Sequence, residues 1–141
     1  MRALGLDLGS KRIGVAVSDL SGTIASPLTV VARSRSRRYD HATLAALVRD
    51  EEADVVVVGL PRSLSGDLGP AARGVLKEAE VLATVVGVPV ETYDERLSTV
   101  AAEAALRESG VRGPARRQIV DKVAAAVILQ GWLDARRGRV S

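Results

Sequence analysis

Cysteine and phenylalanine are absent from the chain; histidine, methionine and tryptophan occur once each and tyrosine twice. Without cysteine there is no disulfide framework and no thiolate metal site, which fits a reducing cytosol, and a cytoplasmic location is expected. Aromatic residues make up only 2%, too few for a platform on which single-stranded bases stack. Trp132 is therefore expected in the core, where Leu, Val, Ile and Ala do the packing. Long apolar runs are also missing. The N-terminus reaches Asp7 before an apolar signal segment could form, and no stretch is long enough to span a membrane. Charge is the one mild excess: 20 Lys and Arg against 17 Asp and Glu give a net +3 and a pI near 9.8, a hint of a polyanionic partner. What remains is 141 residues with 47% hydrophobic content, enough to fill the core of one domain spanning 1–141.

The most informative segment is Leu4-Gly5-Leu6-Asp7-Leu8-Gly9. In a strand, successive side chains point to opposite faces. Leu4, Leu6 and Leu8 then share one face, and Gly5, Asp7 and Gly9 the other. The next segment repeats the pattern, with Ile13, Val15 and Val17 opposite Gly14, Ala16 and Ser18. A hairpin turning at Ser10-Lys11-Arg12 thus has one greasy face and one nearly bald face carrying a single carboxylate. An isolated strand Asp is ordinarily just exposed to solvent. Two flanking glycines on its own face instead mark close approach by another group, such as a metal ion or a phosphate.

Thr23–Val31 reads as a third strand, with Pro27 indicating an edge or a bulge. Arg33-Ser34-Arg35-Ser36-Arg37-Arg38 is a basic loop. Asp40 is a candidate cap for a helix to about Glu52, and the lone histidine, His41, is expected at the surface or at that helix's end. The valine run from Asp54 to Pro61 marks a strand buried on both faces. After a polar loop from Arg62 to Gly69, Pro70 opens a helix to about Val86. Val88–Tyr93 is a short strand, Ser98 or Thr99 caps a helix ending at Gly110, and Pro114 opens a last helix to about Arg137. Three strands in a meander, then strands alternating with helices, predict an α/β fold: a mixed five-stranded sheet with helices on both faces, in an RNase H-like arrangement. Functional groups gather where parallel strands end, here at Asp7, the Gly59-Leu60-Pro61 turn and Asp94-Glu95-Arg96.

The last helix supplies another acid. From Val123 to Leu129 it is apolar all round, hence buried. Ala124, Ala125 and Ala126 are small enough to dock closely on the bald hairpin face, which would bring Asp121 towards Asp7. A carboxylate so placed is costly unless paired or bound to metal. Pairing with Lys122 or Arg117 at the helix start is the plain alternative; convergence with other acids favours a metal site.

Four segments in this order carry a family resemblance: Leu6-Asp7-Leu8-Gly9-Ser10-Lys11-Arg12-Ile13-Gly14-Val15-Ala16; Gly59-Leu60-Pro61 with Gly66; Asp94-Glu95-Arg96-Leu97-Ser98-Thr99; and Val120-Asp121-Lys122-Val123-Ala124-Ala125. The chain resembles the YqgF (RuvX) proteins, RNase H-like relatives of the RuvC Holliday-junction resolvases, over nearly its whole length. The resemblance implies a nuclease trimming the 5′ end of pre-16S ribosomal RNA, with Asp7, Glu95 and Asp121 as the acidic catalytic set. Two departures stand out. Arg62-Ser63-Leu64-Ser65 replaces an Asn-rich stretch, and the strand ending at Gly59-Leu60-Pro61 lacks the acid its resolvase relatives carry. The middle acid must then come from the next strand, where Asp94 and Glu95 point opposite ways and the family pattern selects Glu95.

Such a cluster suits phosphodiester hydrolysis, in which two divalent ions about 3.5–4 Å apart activate water and stabilise the leaving oxygen. Mg²⁺ or Mn²⁺, bound by oxygen ligands, is the expected cofactor. Lys11, Arg12 and Arg96 are candidate phosphate contacts, Arg96 equally a structural partner for Asp94. Ser98 and Thr99 are caps whose free N–H groups could hold a phosphate. Arg33–Arg38 and the tail cations Arg136, Arg137 and Arg139 either widen the footprint on a polyanion or form a solvated loop and a frayed tail. The expected partner is nucleic acid, precursor rRNA or branched DNA. A homodimer is possible because a junction needs two cuts. An actin-like kinase, which the Asp7-Leu8-Gly9-Ser10 turn also suggests, would need two domains. A binding module that has lost catalysis is the third class.

Overall fold

The structure, a computed structural model, describes residues 1–61, 67–94 and 114–140. Its elements are β1 (Ala3–Leu8), β2 (Arg12–Ser18), β3 (Ala25–Ala32), α1 (Arg37–Asp50), β4 (Val55–Leu60), α2 (Pro70–Val86), β5 (Val90–Asp94) and α3 (Pro114–Val140). The strands form one mixed sheet in the order β3-β2-β1-β4-β5. β1, β2 and β3 are antiparallel neighbours, while β1, β4 and β5 run parallel. β3 is an edge strand, and a register shift where Ala16 meets Pro27 makes the proline's missing N–H harmless.

Alternation along the strands divides the interior into two cores. Leu4, Leu6, Ile13, Val15, Val56 and Val58 pack against Leu44 and Val48 of α1 and Leu82 and Val86 of α2. On the other face Ala3, Ala16, Val55 and Val57 pack against Ala125, Ile128, Leu129, Trp132 and Leu133 of α3. β4 lies between both and is buried throughout, as its valine run predicts. Trp132 is core, as expected, with the Arg136 guanidinium 5.2 Å from its ring centroid.

The bald hairpin face is what seats α3. A Cβ at Gly5 would lie 2.7 Å from Leu129 Cβ, and one at Gly14 would collide with the carbonyl oxygen of Asp121. Helix and strand backbones therefore approach as no residue with a side chain would permit. Burying Ile128, Leu129, Trp132 and Leu133 contributes about 1.5–3 kcal/mol each. Together that is comparable to the whole stability of a small domain, so the seating of α3 is not optional.

Five expectations are corrected. Ser36, not Asp40, caps α1: its extended backbone lets the side chain accept the Tyr39 N–H at 3.1 Å. Asp40 sits one turn in, buried, accepting from the Ser34 N–H at 3.0 Å. His41 does stand at a helix start but is only 2% exposed, because Nε2–H donates to the buried Glu78 carboxylate at 2.7 Å. Arg33–Arg38 is not a uniformly solvated loop. Arg33 forks onto Glu78 at 2.6 and 2.9 Å, and Arg37 opens α1. Nor are the two tail arginines, Arg136 and Arg137, frayed: α3 continues to Val140, and Arg137 bonds the Thr23 carbonyl at 2.7 Å and Asp134. β5 begins at Val90 rather than Val88, since Gly87 ends α2 in a left-handed turn and Pro89 follows. The polar loop at 62–66, the helix expected from Ser98 or Thr99 to Gly110, and Arg139's side chain lie outside the described residues.

Gly14→Ala should destabilise the protein by about 2–3 kcal/mol, because the methyl must push α3 off the sheet. Gly74→Ala is the control: nothing lies within 4 Å of its missing Cβ, and an exposed helix-interior Gly→Ala should stabilise by about 1 kcal/mol. Thermal melts of both variants check the opposite signs.

Candidate active site

Asp7 lies near the end of β1, directly opposite Gly14 of β2 in the antiparallel register. The Asp121 backbone rests on that same Gly14. The acid of the hairpin and the acid of α3 are thus brought to neighbouring places on one face. Their proximity is felt electrostatically: burial first, then the negative charge of Asp121, raises the Asp7 carboxyl to about 6. No hydrogen-bond or ion-pair partner for the Asp7 carboxylate occurs among the described residues.

Asp121 has a partner outside its own helix; the Arg117 side chain lies outside the described residues. Arg12 Nε–H donates to Asp121 Oδ2 at 2.6 Å, a pair with side chains 30% and 21% exposed. Arg12 begins β2, immediately after the turn, so the hairpin that supplies Asp7 also supplies the counter-ion for Asp121. Partial exposure keeps this pair modest, at about 1 kcal/mol. Lys11, next to it, is exposed at the turn.

β5 sets the face of one candidate for the middle acid, Asp94. Val90 packs against the α1/α2 core and Tyr93 against the α3 core, where its ring meets Gly131. Alternation then places Asp94, paired in register with Leu60, on the face opposite Asp7. Glu95, Arg96, Ser98 and Thr99 lie outside the described residues. Among the described residues no group of three metal-binding side chains occurs; Asp7 and Asp121 are the two acids brought to this place. The donors are carboxylate oxygens, the kind that Mg²⁺ and Mn²⁺ accept, and a raised carboxyl is an unmet demand for positive charge. On both counts the residues fit a hard divalent cation.

A family model described as RuvX, Holliday junction resolvase, matches residues 1–135. The chain belongs to the RuvX family. Relatives in that family bear the name "Putative pre-16S rRNA nuclease". The one from Anaeromyxobacter sp. (strain Fw109-5) is 53% identical over 136 residues, covering 96% of this chain and 98% of its own. Those of Myxococcus xanthus (strain DK1622) and Thermoanaerobacter pseudethanolicus are 51% and 41% identical, covering 97% and 99% of this chain and 90% and 100% of theirs. Among solved structures, T. thermophilus RuvC in complex with Holliday junction substrate superimposes with a TM-score of 0.61 at 23% identity, covering 98% of this chain and 96% of that one. The expected RNase H-like fold is thereby borne out. Among the described residues no helix is long and apolar enough to cross a membrane.

The raised Asp7 carboxyl has a thermodynamic signature. Because the folded state holds this proton more tightly than the unfolded chain, with its ordinary value of 3.8, Asp7 adds stability at low pH that is lost as pH rises through about 6. In chelator at pH 8, Asp7→Asn should be more stable than wild type by about 1–2 kcal/mol, or about 3–6 °C in Tm. At pH 4 the gain should vanish. Melting curves at the two pH values decide it.

Proposed function

We propose that this RuvX-family chain is a metal-dependent nuclease that hydrolyses phosphodiester bonds, acting in the cytoplasm on the 5′ end of precursor 16S rRNA. The observation that carries the reading is the delivery of Asp121 onto Gly14, across the ladder from Asp7. A helix is seated at atomic contact on a glycine face, and its effect is to gather like charges that repel. Folding alone has no use for that arrangement; a divalent cation does.

In this reading Asp7, Asp121 and Glu95 hold Mg²⁺ or Mn²⁺, two ions in the full site. Glu95 is assigned from the family pattern, and the placement of Asp94 on the opposite face supports the choice. The ions, when bound, supply activation of water and stabilisation of the leaving oxygen. The protein's own residues do the rest. Asp7, ionised above about pH 6, presents an unpaired carboxylate to a cation. Lys11, exposed on the turn, meets a phosphate backbone approaching the acids, with Arg96, Ser98 and Thr99 as further contacts. Arg12 stands in as counter-charge for Asp121 until a cation arrives, and its half-exposed guanidinium then turns to phosphate.

The names borne by the curated relatives favour rRNA. The family description and the likeness to a junction-bound RuvC favour a second reading, resolution of branched DNA by a homodimer making two symmetric cuts. Purified protein with Mn²⁺, offered labelled precursor rRNA and a four-way junction side by side, separates the two. Asp7→Asn, Glu95→Gln and Asp121→Asn should each abolish cleavage in a folded protein; near-wild-type cleavage by one of them removes that residue from the set. Loss of all metal-dependent cleavage in wild type on both substrates would leave a binding module.

Arg12 yields a separate expectation. Arg12→Ala should tighten Mn²⁺ binding measured without nucleic acid, since a competing cation is gone. The same change, alone or with Lys11→Ala, should weaken nucleic-acid binding and flatten its salt dependence by roughly one unit per lost phosphate contact. Weaker Mn²⁺ binding by the variant would show that Arg12 orients Asp121 for the metal instead.

A further inference from the structure

The same glycine turn is gripped from the other face of the sheet. Arg33, just past β3, sends Nε–H to the Gly9 carbonyl at 2.9 Å, and its backbone N–H reaches the Lys11 carbonyl, also at 2.9 Å. One residue thus holds both limbs of the Gly9–Lys11 turn, which has Asp7 two residues before it and Arg12 directly after it. Arg33 is itself fixed. Its two terminal nitrogens fork onto Glu78 at 2.6 and 2.9 Å, and His41 Nε2–H donates to the same carboxylate at 2.7 Å. The Arg33, Glu78 and His41 side chains are only 11%, 3% and 3% exposed, while Arg37, 3.6 Å from Glu78, is open to solvent.

We infer that Arg33 is a positioning residue for the acid pair, locked by Glu78 and His41 so that the turn joining Asp7 to Arg12 keeps one geometry. The inference rests on the reading of Asp7 and Asp121 as metal ligands. Stability alone does not account for the cluster, because well-packed apolar residues commonly stabilise a core as well as a buried ion pair does. What apolar packing cannot supply is a directed hydrogen bond to a chosen carbonyl. Only Arg offers a fork for Glu78 and a third donor, Nε–H, for Gly9 at once. The turn cannot hold itself equally well from within. Gly9 N–H reaches back only to the Asp7 carbonyl at 3.0 Å, and a Cβ on Gly9 would lie 2.5 Å from the Arg12 carbonyl, so no side chain can brace it there. Supporting groups of this kind typically govern metal affinity about 10–100-fold.

The test uses Glu78→Gln and Arg33→Lys, which keep the approximate shape, with Arg2→Gln as a control. That control breaks the remote Arg2–Glu51 pair. All are measured well below their melting temperatures. Hydrogen exchange at the Gly9, Ser10 and Lys11 amides should quicken about tenfold or more in both test variants, while the β4 valines stay protected. Mn²⁺ titrated into each protein should bind about tenfold more weakly in both, with Asp7→Asn marking full loss and Arg2→Gln binding like wild type. Wild-type Mn²⁺ affinity in both variants, despite lower Tm, would reduce Arg33 to a structural role and overturn the inference. Should wild type bind Mn²⁺ no better than Asp7→Asn, the metal reading falls. The exchange rates then decide alone: an unchanged turn overturns the role of Arg33, and a loosened one upholds it.

Discussion

The contact between α3 and the glycine face of the β1–β2 hairpin is the constraint on which the remaining structure depends. A helix normally rides on a sheet at the distance its side chains dictate. Here Gly5 and Gly14 remove that spacing, so Leu129 and the backbone of Asp121 sit where Cβ atoms would otherwise be. The large apolar residues of α3 supply the binding free energy, and the glycines set the distance. Two glycines in strands cost about 1 kcal/mol each in flexibility, well below what burial of Ile128, Leu129, Trp132 and Leu133 returns. The surplus is large enough to hold two carboxylates near one another against their repulsion, and it fixes where they meet.

The two faces of the sheet solve different problems. Towards α1 and α2 the packing is conventional, leucine and valine against leucine and valine, with one inserted ion cluster. Glu78 within it stays ionised. Burial works against its charge, yet hydrogen bonds from Arg33 and His41 outweigh that cost and hold the carboxyl at about 2. Towards α3 the balance is reversed. Asp7 has burial and a like charge beside it and nothing among the described residues opposing them, and its carboxyl rises. One protein thus carries a satisfied buried acid and an unsatisfied one on opposite sides of a single turn. The unsatisfied one is where a ligand has free energy to gain.

Period-two alternation made much of this legible from the sequence. The bald face, the single carboxylate on it, the doubly buried valine strand and the closely docking alanines of α3 all follow from which residues share a side. Pro70 and Gly87 bound α2 as their backbone preferences require. The departures share one physical cause. His41, Arg33, Asp40 and Arg12 are polar groups whose partners lie 6 to 109 positions away, and periodicity says nothing about such pairings. Isolated from Glu78, a histidine at a helix start reads as surface. For Arg12, what periodicity leaves out is its bond to Asp121. The face taken by Asp94 is of another kind: alternation leaves it open, and the anchor that sets it is Tyr93 packing on Gly131, a contact between distant elements.

Arg12 shows why partner choice matters more than residue type at this site. With its Nε–H on Asp121, the pair is close to neutral and Asp7 is left as the excess negative charge. Under the proposed function, a divalent cation would meet there one carboxylate without a partner among the described residues and one already compensated. Binding it fully would free a guanidinium that the hairpin keeps within reach of the same place. A phosphate arriving alongside the cation would offer that guanidinium a stronger partner than a partly exposed carboxylate. Cation and phosphate would then each favour the other's binding, because each would complete a charge exchange the other begins. The turn between Asp7 and Arg12 would be the shared hinge of that exchange. A loose turn would let Arg12 follow Asp121 wherever it moved and keep the acid neutralised, whereas a turn held at Gly9 and Lys11 limits how far Arg12 can follow.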